Sequence, residues 1–194
     1  MDSVDNARIM IHVLRGTDVP VRTSYYKRYI EYLQNVGESG NDTMVPQKAY
    51  QELYFLKQVE SYIEVRFYDP ETKLEQIQRT PIAEGQCPEW NTLLEFVFKA
   101  KNNQNFTKSE LEQSKAMLYF TLFDQETVIE EISKVKQERY IENKYLGSFK
   151  LPFTALLSGN KFEGLVRLNR PLVLQNYHVV KDELIFMQQA EFEA

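Results

Sequence analysis

Along the chain, apolar and polar residues alternate with a period of two over a series of short runs, and two longer stretches follow a helical period instead. From Arg8 to Arg15, Ile9, Ile11 and Val13 share one face and Met10, His12 and Leu14 the other, which predicts a strand. Gly16-Thr17-Asp18 ends it with turn residues. Ser61 to Tyr68 alternates in the same way, with Ile63, Val65 and Phe67 on one side. Leu74 to Thr80 is a weaker strand stopped by Pro81, Leu93 to Phe98 alternates again, and Met117 to Phe123 is the most β-prone run of all. Lys144 to Leu151, Gly164 to Leu168 and Pro171 to Leu174 complete a set of about eight short strands.

The helical stretches fall between strands. Tyr26, Tyr29, Ile30 and Leu33 are spaced as on one helix face behind Ser24 as N-cap, and Pro46 opens a second such pattern through Ala49, Leu53 and Leu56. Residues 22–57 are therefore expected to be a loop insert with one or two short helices. In residues 125–143, Val128, Ile132 and Val135 follow a helix face with interleaved Glu and Lys, which predicts a second helical insert. Shorter helical turns are expected at Ser109 to Ser114 and Pro152 to Leu157. Without a βαβ rhythm, the pattern predicts an all-β antiparallel sandwich over residues 1–177. Residues 178–194, charged and loosely patterned, read as a tail or linker.

Composition supports a packed core: hydrophobic residues make up 43% and aromatic ones 13%. The formal net charge of −5 gives no global attraction for nucleic acid or anionic lipid. The single cysteine, Cys87, excludes an internal disulfide and is expected to be a small buried residue in a reducing compartment. No apolar run approaches the ~20 residues of a membrane span, and no N-terminal stretch resembles a signal peptide. The chain reads as soluble and intracellular.

Cys87-Pro88-Glu89-Trp90-Asn91 resembles the N-P-x-W-N signature of C2 domains, whose Trp packs at the sandwich edge and whose Asn ties a turn. Ser61-Tyr62-Ile63-Glu64-Val65 is similar to their P-Y-V-x-V strand, Leu122-Phe123-Asp124 to the strand end that opens calcium loop 3, and Leu146-Gly147 to the pair that follows it. Pro88, Trp90, Asn91 and Gly147 are thus signature positions. The resemblance implies an eight-stranded antiparallel C2-type β-sandwich, with the helical insertions falling in loops 1 and 3. A closer similarity runs from Asp18-Val19-Pro20-Val21-Arg22 through Tyr145-Leu146-Gly147 and Lys150-Leu151-Pro152-Phe153 to Leu172-Val173-Leu174 and Tyr177. It resembles the coiled-coil and C2 domain family of the ciliary transition zone, associated with Meckel and Joubert syndromes. That resemblance implies a structural role at the cytoplasmic side of the cilium base, beside the basal body. The implied partners are other transition-zone proteins, including B9-type C2 proteins, with contact to a membrane surface.

C2 domains hold calcium with about five aspartates, and calcium takes about six to eight oxygens. Here the first position falls on Val21 and Arg22, the next on Glu60, loop 3 keeps Asp124 followed by Glu126, and the last pair becomes Asn143 and Lys144. With one aspartate left and Lys144 among the positions, no bound metal or other cofactor is expected. Asp124 alone reads as a turn residue that accepts backbone hydrogen bonds.

The two inserts carry no net positive charge between them, which disfavours electrostatic docking on lipid. Cys87 has no histidine near it in sequence, and no GxSxG, HExxH or phosphate-cradling glycine loop occurs. No catalysis and no small-molecule substrate are expected. Protein binding remains, and Tyr25, Tyr26, Arg28, Tyr29 and Tyr32 cluster in the first insert as candidate contacts. That end of the sandwich, or an exposed sheet edge, is the expected docking surface. The alternative is a calcium-independent phospholipid-binding module that targets its parent protein to the membrane.

Overall fold

The computed structural model describes residues 6–23, 59–99, 108–132, 137–157, 161–178 and 184–193. Every alternating run seen in the sequence up to Phe123 becomes a strand, and in all but the Leu74–Thr80 run, where Ile77 is exposed, the apolar side faces inward. The strands are β1 (Asn6–Thr17), β2 (Val21–Arg22), β3 (Glu60–Tyr68), β4 (Glu75–Arg79), β5 (Ala83–Glu84), β6 (Glu89–Lys99), β7 (Met117–Glu131), β8 (Gln137–Pro152), β9 (Lys161–Arg167), β10 (Tyr177–His178) and β11 (Leu184–Glu193). Two short helices, α1 (Lys108–Glu112) and α2 (Thr154–Leu157), fall at the expected helical turns.

One sheet has the order β6-β1-β11-β9 and the other β4-β3-β7-β8, with β5 added to β3. All of these pairings are antiparallel. Ile9, Ile11 and Val13 of β1, Leu94 and Phe96 of β6, Ile63 and Val65 of β3, and Leu118, Phe120 and Leu122 of β7 form the buried core. This is an all-β C2-type sandwich.

The C2-like signature ties the two layers together. Pro88 O accepts from Gly16 N at 2.8 Å, and the buried Trp90 donates its indole N–H to Ser61 O on the other sheet at 3.0 Å. A Cβ on Gly16 would meet the Trp90 ring at 3.0 Å, so glycine lets the ring lie against β1. The β1–β6 register slips between Val13 and Arg15, and there Asn91 takes a φ of 40°. Asparagine tolerates this left-handed conformation, and its Oδ1 lies 2.8 Å from His12 Nε2. Gly147 pairs with Leu122 beside a second bulge, which leaves Leu146 as the extra, buried residue of β8.

Four expectations are corrected. Residues 125–131 and 137–143 do not belong to a helical insert; they continue β7 and β8 as an arm of two antiparallel strands, from Gln125↔Asn143 to Glu131↔Gln137. Thr127, Val128, Ile129 and Ile141 are β-branched, and that preference outweighs the helical spacing of the charges. Residues 178–194 are not a tail, because β11 pairs on both sides, with β1 and β9. Pro171 to Leu174 is not a strand, and Cys87 is exposed rather than buried. The helices expected in residues 22–57 fall within 24–58, outside the described residues.

A chain ending at His178 is expected to lose its cooperative unfolding transition, since its removal of β11 exposes the inner edges of both β1 and β9. Urea unfolding followed by Trp90 fluorescence measures this, and a shortened chain with an unchanged transition would contradict the placement of β11.

Candidate functional site

The site begins with parity. Leu118, Phe120 and Leu122 point inward from β7, and the next residue of that parity is Asp124, which is fully buried. A buried carboxylate needs a partner of opposite charge and donors for its oxygens. Arg22, on β2 and also buried, supplies them as a two-pronged clamp. Its Nε donates to Oδ2 and its Nη2 to Oδ1, each at 2.6 Å. Nη2 also donates to Gln125 O at 3.0 Å.

Two further donors complete the carboxylate's surroundings. Tyr177 on β10, paired across from Arg22, donates its hydroxyl to Asp124 Oδ2 at 2.6 Å. Glu60 contributes its backbone N–H to Oδ1 at 3.1 Å, and its side chain is only half-buried. Burial, followed by the hydrogen bond and charge of Asp124, pushes the Tyr177 phenol far above its ordinary value.

A second, more open layer sits beside the first. Arg22 Nη1 lies 3.8 Å from Glu126 Oε1, and Lys144 Nζ lies 2.5 Å from Glu126 Oε2 and 3.5 Å from Glu142 Oε2. Burial pulls the Lys144 ammonium down, but the hydrogen bond and charge of Glu126, with those of Glu142, outweigh it and hold the group above its ordinary value. Asn143 accepts from Gln125 Nε2 at 3.2 Å.

The positions expected from the sequence, Glu60, Asp124, Glu126, Asn143 and Lys144, therefore do converge on one end of the sandwich. They converge around protein cations. Both Asp124 oxygens are engaged by a guanidinium, and an ammonium sits on Glu126, so this donor set does not fit a calcium ion. Among the described residues, no group of three His, Cys, Asp or Glu side chains is placed to hold a metal. Arg22 and Tyr177 as Asp124's partners went unforeseen in the sequence; the signal was Asp124's inward parity, which demands a counter-charge. Tyr25, Tyr26, Arg28, Tyr29 and Tyr32 lie outside the described residues.

Fold and site together define a C2-type sandwich in which side-chain cations meet the carboxylates at one end. No family model matches the chain. It is 27% identical over 169 residues to the Coiled-coil and C2 domain-containing protein 2A of Drosophila melanogaster, an alignment that covers 87% of this chain and 11% of that protein. The chain thus spans about a tenth of that relative's length. Among solved structures, one described as "CC2D1B coordinates ESRCT-III activity during the mitotic reformation of the nuclear envelope" superimposes with a TM-score of 0.51 at 10% identity, covering 98% of this chain and 57% of that one. Another, of the paired C2 domains of Extended-Synaptotagmin 2, gives a TM-score of 0.49 at 13% identity over 99% of this chain and 43% of that one. The chain is a C2-domain protein related to coiled-coil and C2 domain-containing proteins.

Arg22→Met is expected to cost about 3–5 kcal/mol, because it removes the counter-charge of the buried Asp124 carboxylate. Tyr177→Phe removes one donor to that carboxylate and is expected to cost about 1.5–3 kcal/mol. Urea unfolding of the two variants checks the order, and an Arg22→Met domain as stable as the parent would contradict the buried pair. Stability is also expected to decline in alkali. Tyr177 has a raised folded pKa, so its contribution is complete below the unfolded value of 10.0 and is lost as pH rises above it. Lys144 acts in the same direction. Unfolding midpoints between about pH 8 and 11 should fall less steeply in Tyr177→Phe.

Proposed function

We propose that this chain is a non-catalytic, calcium-independent C2 module that acts as a protein-interaction scaffold of the ciliary transition zone complex in cilium assembly. The single observation that carries calcium independence is the Arg22 guanidinium on Asp124. A cation that belongs to the chain is present at every calcium concentration, so this end of the domain has one charge state and one shape. The histidines serve the fold: His12 bonds to Asn91 and His178 pairs in β10 against Val21. The ciliary setting rests on the similarity of residues 8–177 to the transition-zone family and on the 27% identity to the Drosophila melanogaster relative. Its partners in this reading are other transition-zone proteins, B9-type C2 proteins among them, at the cytoplasmic side of the cilium base.

One observation favours a second reading, a calcium-independent contact with phospholipid. Leu172 and Val173 stand 106% and 70% exposed in the loop after Arg170, and exposed apolar residues beside basic ones suit a membrane interface.

Capture of purified B9-type C2 proteins by the domain tests the first reading. Capture should be equal in EGTA and in calcium, and calorimetry should show no calcium binding up to about 1 mM. Capture that needs calcium would overturn calcium independence. Failure to capture, together with sedimentation on phosphoinositide vesicles, would replace the scaffold by the lipid reading.

A further inference from the structure

One strand breaks the rule that apolar side chains face inward. β4 turns Glu75, Ile77 and Arg79 outward, with Ile77 49% exposed, and keeps Gln76 and Gln78 for its inner side. Gln78 stands opposite Val65 and Gln76 opposite Phe67, both of them buried residues of the core. Side chains of directly opposed residues lie on the same face of a sheet, so the two glutamines occupy positions where a sandwich strand would carry leucine or valine. An amide in such a position needs partners for its N–H and C=O groups.

Those partners belong to the other sheet. Gln76 donates to Val97 O at 2.6 Å and accepts from Val97 N at 3.3 Å. Gln78 accepts from Glu95 N at 3.2 Å and donates to Glu95 O. β6 is the first strand of its sheet, with β1 on one side, and among the described residues no strand lies on its other side. There, every second residue carries its N–H and C=O outward together, and each glutamine amide meets one such residue with one donor and one acceptor. Two side chains thus stand in for the next strand at two successive positions. A charge near an edge only discourages pairing, whereas these amides occupy the hydrogen-bonding groups themselves.

What the glutamines keep out follows from the side chains of the same edge. On its solvent face β6 shows Leu93, 61% exposed, and Val97, 38% exposed, with Glu95 between them. A second copy of β6 laid antiparallel about a two-fold axis at Glu95 would set Leu93 against Val97 of the other copy, twice over, so the row is complementary to itself. Residues 93, 95 and 97 share one parity, and it is the parity of the backbone groups that the glutamines hold. The same register would therefore pair those groups backbone to backbone. The two Glu95 side chains would face each other, which costs stability, but each brings its own counter-charge, since Arg8 Nη1 lies 3.2 Å from Glu95 Oε1.

We propose that Gln76 and Gln78 form an autoinhibitory lock on a latent self-association edge: while they hold Glu95 and Val97, β6 cannot pair with a second copy of this chain. The lock is independent of the scaffold reading and stands or falls without it. The test compares the parent with the double variant Gln76→Val, Gln78→Val, which removes the amides and keeps residues that suit a strand. Light scattering up to about 0.5 mM should find the variant forming dimers at concentrations where the parent does not. In dilute solution, the Glu95 and Val97 amides followed by NMR should exchange at least about tenfold faster in the variant than in the parent. The Phe96 amide, which faces β1, should keep its rate. Adding Leu93→Lys to the variant should return it to the monomer. Parent amides at Glu95 and Val97 that exchange as fast as unbonded ones, a variant that associates no more than the parent, or a dimer that survives Leu93→Lys would each overturn the lock. The parent's own exchange pattern decides the matter if the double variant does not fold.

Discussion

The bond between Arg22 and Asp124 is the constraint around which this end of the molecule is arranged. The inward register of β7 delivers a carboxylate into the sandwich after three apolar residues. It cannot stay there charged without compensation. Where a C2 domain of the calcium-binding kind gathers several aspartates around an ion, this chain keeps Asp124 as its one aspartate among the expected positions and sets the Arg22 guanidinium on it. The planar guanidinium suits that task because it meets both oxygens at once; a lysine would offer a point charge to one.

The joint also explains elements that otherwise look incidental. β2 and β10 contain two residues each and pair only with each other. Alone, a pair this short is not stable. It persists because Arg22 and Tyr177, facing each other across it, both end on Asp124. Two stretches far apart in sequence, after β1 and before β11, are thereby fastened to the middle of β7. The Trp90 bond to Ser61 joins the same strand, β3, from the other sheet, so Ser61 and Asp124 form a rung held from two directions.

Much of the sandwich was legible because burial on one face leaves a period-two trace, as in Ile9, Ile11 and Val13 or Ile63, Val65 and Phe67. β11 was missed for the opposite reason. Leu184-Ile185-Phe186-Met187 is a continuous apolar run among charged residues and leaves no period-two trace. The arm was misread because Glu and Lys at helical spacing are compatible with a solvated strand as well, where the β-branched Thr127, Val128 and Ile129 decide the outcome. Of the site, the vestigial positions were legible by their order. The Arg22–Asp124 bond was half-visible: the arginine stood where a ligand was expected, and only its partner had to be found by counting parity along β7. Tyr177 left no local signal, since its role depends on a chain reversal that brings residues 102 apart and 53 apart to one carboxylate.

The same joint roots the arm. Asp124 is the last residue of β7 with a strand on each side, and just past it the guanidinium holds Gln125 O while Lys144 holds Glu126. The first rungs of the arm are thus pinned by two side-chain cations, Arg22 and Lys144. A two-stranded ribbon has little to fix its direction, and this one leaves the sandwich from a clamped base. The ion pairs and the strand register act on the same residues: what neutralises Asp124 and Glu126 also fixes where the two strands leave the sheet.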